Sequence, residues 1–152
     1  FEQILDRVLS VFEKKYKKAW HRKEKNQMNI LLDTHIFIWC LENNKKLTSP
    51  TKEIIFDADA VYVSIISFWE ISIKAQLGKL KANIQKMIEA IEPSGFRTLS
   101  LQYDHIIQLE KLPAHHKDPF DRMLLAQALS EPLQFLTADD QLARYSELVR
   151  VV

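Results

Sequence analysis

The sequence predicts an α/β fold: a mainly parallel sheet covered by helices on both faces and preceded by a separate amphipathic helix. Three observations predict it. Apolar runs at 30–32 and 61–66 read as buried strands, with segments of helical period between and after them. Strands alternating with helices signal parallel crossover units, whose sheet is buried on both sides. Finally, the first 27 residues carry one apolar stripe on a basic background, unlike the rest of the chain.

The elements follow in order. In residues 1–27, Phe1, Ile4, Leu5, Val8, Phe12, Tyr16 and Trp20 recur at steps of three and four, which is the stripe of an amphipathic helix. Eight Lys and Arg stand there against four acids, a net +4. Removing these from the chain totals of 21 and 20 leaves 13 basic and 16 acidic residues in 28–152, a net −3. The polar run HRKEKNQ at 21–27 reads as a linker, and Met28 as a natural start for a second unit, 28–152. Within that unit helices are predicted at 35–42, 50–58, 67–77, 83–92, 102–111, 119–130 and 139–146, with further short strands at 135–137 and 148–152. Ser49 before Pro50 reads as a cap with proline in the first position, and Gly78 as a helix stop.

Composition narrows the chemistry. A chain of 152 residues, 47% apolar and 27% charged, is one globular domain's worth. Its two glycines, Gly78 and Gly95, stand too far apart for a dinucleotide fingerprint or a phosphate loop. Its single cysteine, Cys40, excludes a disulfide framework and CxxC chemistry, and fits a small core residue in a reducing compartment. No apolar run approaches 18 residues, so the expectation is a cytoplasmic protein without a membrane span.

Carboxylates remain as the chemical currency. Asp33 ends the first strand, and Asp139 follows the strand FLT. Glu70 lies in SFWEISIK among apolar neighbours, and Asp121 opens the apolar helix DRMLLAQAL. Parallel sheets place ligands at the carboxyl ends of their strands. Four acids gathered there would repel one another and take up protons unless a cation sat among them. An oxygen donor set without cysteine or paired histidine suits Mg²⁺ or Mn²⁺. Each acid alone also has an ordinary structural role, as a helix cap for Asp33 and Asp139 or in an ion pair for Asp121. Glu70 on an apolar face is the hardest to explain that way.

At this point the chain resembles a family. Over 28–152 it is similar to PIN-domain proteins, in particular VapC-type toxins of type II toxin–antitoxin pairs. The resemblance rests on LLDTHIFIW (31–39), SFWEISIKAQLGKL (67–80), LPAHHKDPFDRMLLAQAL (112–129) and LTADDQLARY (136–145). It implies a three-layer α/β/α fold and a metal-dependent ribonuclease acting on RNA, with a cognate antitoxin and a homodimeric state. The family's acidic quartet falls on Asp33, Glu70, Asp121 and Asp139, as metal-binding and catalytic residues. Thr137 matches a supporting position, and Asp118 stands at the rim. Helix alignment selects Asp121 over Asp118, and the TAD triplet selects Asp139 over Asp140. Residues 1–27 lie outside the match and fit an antitoxin-derived segment.

Other residues read more plainly. His35 and the pair His115-His116 are expected beside the strand end and in an exposed loop. Trp39 and Trp69 fit core or dimer packing, and Lys74, Lys79 and Lys81 fit solvated surface or phosphate contacts. A phosphatase using an aspartyl nucleophile would want DxD after its first strand, where this chain has His35. The remaining alternative is a catalytically idle PIN-like module that binds RNA or a protein partner.

Overall fold

The computed structural model describes residues 28–152, so the predicted leader helix and linker lie outside the described residues. Five strands form one parallel sheet: β1 (Asn29–Leu32), β2 (Ala60–Ser64), β3 (Phe96–Leu99), β4 (Gln134–Thr137) and β5 (Val149–Val151). Their spatial order is β3-β2-β1-β4-β5. Helices α1 (Thr34–Glu42) and α2 (Ser49–Asp57) link β1 to β2. Helices α3 (Ile65–Gln76) and α4 (Ile84–Glu89) link β2 to β3, and α5 (Tyr103–Glu110) and α6 (Pro119–Ser130) link β3 to β4. A single 3₁₀ turn, Asp140–Arg144, leads to β5.

The strand alternation divides the core. On β1, Ile30 and Leu32 pack with Val61, Val63, Phe37, Ile71 and Phe96 on one face. Leu31 points to the other face, with Phe135, Leu99, Leu124, Leu125 and Ala128. Successive side chains on a strand point to opposite sides, so a strand buried on both faces must be apolar throughout. β1 meets that requirement except at Asn29, its exposed first residue. Cys40 is buried in the first cluster, and its burial pushes the thiol up to about 12, so it is a core residue rather than a reactive one.

The chain runs outward from β1 through β2 to β3, then crosses back to place β4 on the other side of β1. The connections leaving β1 and β4 therefore diverge, and the carboxyl ends of these two strands bound a crevice. Asp33 sits at that end of β1, where its N–H continues the ladder to the Leu136 carbonyl at 2.9 Å.

Several boundaries depart from the predictions. The run 61–66 ends as a strand at Ser64, because the Ser64 hydroxyl accepts the Ile66 N–H at 3.0 Å and caps α3. Ile65 is thereby turned out to solvent. β3 was not predicted. The cap of α2 is Thr48, one residue before the predicted Ser49. The predicted helix 83–92 shortens to Ile84–Glu89, and 139–146 becomes the 3₁₀ turn with Leu142 as its buried anchor. Gly78 does stop α3, with a left-handed φ of 71°. Among the described residues no helix is long and apolar enough to cross a membrane.

Candidate active site

Asp33 is hydrogen-bonded through both of its carboxylate oxygens. Its Oδ1 accepts the Thr34 N–H at 2.6 Å, capping α1, while its Oδ2 accepts the Thr137 hydroxyl. That hydroxyl in turn accepts the Asp139 N–H at 3.0 Å. One threonine side chain therefore ties the acid after β1 to the acid after β4. Thr34 adds a second tie, donating to Ser67 on α3 at 2.9 Å. Replacing Thr137 by Val leaves the shape and removes both bonds, so a loss of roughly 1–3 kcal/mol in unfolding free energy is expected. Chemical denaturation of the two proteins measures it, and equal stability would mean the bonds contribute nothing.

Ser67 lies one turn before Glu70 on α3, and Lys74 one turn after it, so all three share a face. Glu70 is 2% exposed. Its Oε2 accepts the Lys74 ammonium, and its Oε1 is buried without a hydrogen-bond partner. Lys74 also feels Asp118 and Asp121, which raise its affinity for a proton together with Glu70, although burial opposes them. It is therefore part of the acid cluster rather than a solvated lysine. Lys79 and Lys81 are exposed.

Asp121 lies in the first turn of α6, whose cap is Asp118. Asp118 Oδ1 accepts the N–H groups of Phe120 and Asp121 at 2.9 and 3.0 Å. Burial pushes the Asp121 carboxyl up to about 7, with the negative charges of Asp33, Asp118 and Glu70 acting in the same direction and a hydrogen bond to His116 opposing them. Burial likewise holds Asp33 above the usual carboxylate range, opposed first by the bond from Thr137. Asp139 caps the 3₁₀ turn through the Gln141 N–H at 3.0 Å, while Asp140 is exposed.

The structure thus brings Asp33, Glu70, Asp121 and Asp139 to one end of the sheet, with Asp118 beside them and Thr137 between two of them. It also brings a residue that the sequence reading set in an exposed loop. His116 is half-buried, its Nε2 lies 2.8 Å from Asp121 Oδ2 and 3.7 Å from Asp139 Oδ2, and its N–H donates to the Tyr145 hydroxyl at 2.6 Å. The available signal was its position two residues before the Asp118 cap, which aims it back over the first turn of α6. His115 and His35 are exposed. Trp69 is 59% exposed and meets Phe120 edge to face, so it is not a core residue of this chain. Trp39 packs partly buried against the core, with the Lys46 ammonium 5.6 Å above its ring.

A divalent cation fits these residues. A buried carboxylate oxygen without a partner, and an acid pushed up to about 7 by burial and then by the charges around it, are what a cation would relieve. The acids offer carboxylate oxygens, a set that Mg²⁺ and Mn²⁺ accept.

A parallel sheet of order 3-2-1-4-5 with acids gathered at its switch point defines an α/β protein with an acidic crevice at its strand ends. The family model of the PIN domain matches residues 30–148, and the chain belongs to the PIN domain family. A search of curated proteins finds no match. Among solved structures, a chain of VapBC2 from Rickettsia felis, bound to a DNA fragment from its promoter, superposes with a TM-score of 0.62 at 14% identity, covering 82% of this chain and 98% of that one. A chain of DNA-bound VapBC from Salmonella typhimurium gives 0.60 at 16% identity, covering 83% and 98%. These likenesses establish the shared fold.

Proposed function

We propose that the chain is a VapC-type toxin: a Mg²⁺- or Mn²⁺-dependent endoribonuclease that hydrolyses RNA phosphodiesters and is restrained by a cognate antitoxin. One observation carries the reading, the convergence of four carboxylates from separate segments on the crevice between β1 and β4, with Glu70 Oε1 left unpaired. Asp33, Glu70, Asp121 and Asp139 are the residues that would hold the cation; when bound, it supplies Lewis-acid activation of water and neutralises charge developing on the phosphate.

The chain's own residues do the positioning. Thr137 and the Thr34 N–H fix both oxygens of Asp33, so its carboxylate plane is set before any ligand arrives. The Asp118 cap orients the first turn of α6 and with it Asp121. Lys74 holds Glu70 in place and carries a positive charge beside the cluster, suited to meeting a substrate phosphate. The likeness to chains of VapBC complexes supports an antitoxin as partner, and the same reading takes the toxin as a cytoplasmic homodimer. Residues 1–27 are assigned as an antitoxin-derived segment ahead of the PIN domain.

The test is cleavage of a panel of RNAs by the full chain with Mg²⁺ or Mn²⁺, with chelator, and by Asp33→Asn. Cleavage is expected to require the metal and to fall about 10²–10³-fold in the variant. Undiminished cleavage in chelator or by Asp33→Asn would discard the assignment. Metal uptake without cleavage would favour the idle binding module.

A further inference from the structure

The donor set around Asp121 is not made of oxygen alone. His116 Nε2, Asp121 Oδ2 and one Asp139 oxygen all lie within 4.8 Å of one another. Adjacent ligands of a six-coordinate ion at about 2.1 Å stand about 3 Å apart. The separations of 2.8 Å from His116 to Asp121 and 3.7 Å from His116 to Asp139 bracket that value. The imidazole is also held in place. Its backbone N–H is anchored on Tyr145, its carbonyl is approached by the Arg122 guanidinium at 3.5 Å, and its loop ends at the Asp118 cap. Glu70, whose Oε1 is buried without a hydrogen-bond partner, adds its negative charge to the surroundings of Asp121.

We propose that His116 is a direct metal ligand, so that His116, Asp121 and Asp139 form a mixed imidazole–carboxylate position that selects Mn²⁺ over Mg²⁺. The inference rests on the metal-binding reading above and adds to it a nitrogen donor and a preference. Mg²⁺ is a hard ion that keeps oxygen ligands and water, whereas imidazole suits first-row transition ions. A site of carboxylates alone has less ground for discriminating between the two. Among the described residues, His35 is a second imidazole whose charge acts on the acids, through Asp33. It is exposed and has no contact with Asp121 or Asp139, so it serves as the control.

The experiment uses the full chain and Mn²⁺ as probe. Electron spin-echo envelope modulation of bound Mn²⁺ is expected to show coupling to a ¹⁴N nucleus in the wild type and in His35→Gln, and none in His116→Gln. Titration should show Mn²⁺ affinity falling about ten- to a hundredfold in His116→Gln while Mg²⁺ affinity, read by competition, changes less. The half-buried side chain makes the glutamine variant compatible with folding, which circular dichroism checks. Bound Mn²⁺ without nitrogen coupling, or coupling that survives in His116→Gln, overturns the His116 assignment and leaves the carboxylate site standing. Failure of the folded wild type to bind Mn²⁺ at all overturns both.

Discussion

Asp121→Asn is expected to abolish metal-dependent RNA cleavage and, in the absence of metal, to make the protein more stable at neutral pH. The first effect follows from removing a charge that the proposed cation needs, and about 10²–10³-fold is the scale for losing one such electrostatic contribution. The second follows from the environment. Burial and the charges of Asp33, Asp118 and Glu70 raise the Asp121 carboxyl from its ordinary 3.8 to about 7. The folded state therefore binds the Asp121 proton more tightly than the unfolded state does. Where the native form holds more protons, unfolding free energy falls as pH rises. The stabilisation is full below about 4 and is lost as pH rises through 7. Asparagine cannot ionise, so its advantage in melting temperature over the wild type should grow from pH 5 to pH 8 in chelator. Saturating Mn²⁺ should reverse the order, because the cation stabilises only the protein that binds it. Scanning calorimetry of both proteins under both conditions gives the answer. A pH-independent difference in chelator would mean that folding does not raise the Asp121 carboxyl.

Phe135→Ala is expected to cost about 3–5 kcal/mol, a large share of the roughly 5–15 kcal/mol that holds a domain together. Phe135 is fully buried on β4, within the cluster that joins Leu31 to Leu124 and Leu125 of α6. A domain of this size should lose roughly 10–20 °C in melting temperature. The consequence reaches the site, because β4 carries Thr137 and leads into Asp139. Mn²⁺ should therefore bind Phe135→Ala more weakly even at temperatures where the variant is folded. Full stability in thermal melts would show that the cluster has room to close around the deletion.

Much of this was legible in the sequence, for reasons that also explain what was not. β1 and β2 are buried on both sides, so their apolar runs are nearly continuous and easy to read. β3 lies at the sheet edge, with Phe96 and Leu99 buried but Arg97 and Thr98 exposed. That spacing of three breaks strand alternation and reads as a helical step instead. Ile65 and Ile66 extend an apolar run, and only the capping hydroxyl of Ser64 ends the strand before them. At the site, the four carboxylates are visible because acids next to apolar core sequence are rare. His116 was hidden because a histidine in a polar loop has no periodicity, and its aim is set by contacts to Tyr145 and Asp121. The sequence places no imidazole beside the acids, and the structure sets the His116 ring 2.8 Å from Asp121. Lys74 fits solvated surface or a phosphate contact by sequence, and its i,i+4 relation to Glu70 places the two side chains on one face.

The Thr137 hydroxyl joins residues 104 positions apart along the chain. A polypeptide grows from its first residue, so Asp33 exists long before anything can hold its second oxygen. Until α6 and β4 have been made and β4 has paired with β1, the growing chain contains isolated acids and no assembled centre. The acid after β1 thus gains its second hydrogen bond only once the last third of the domain has been made and β4 has paired with β1.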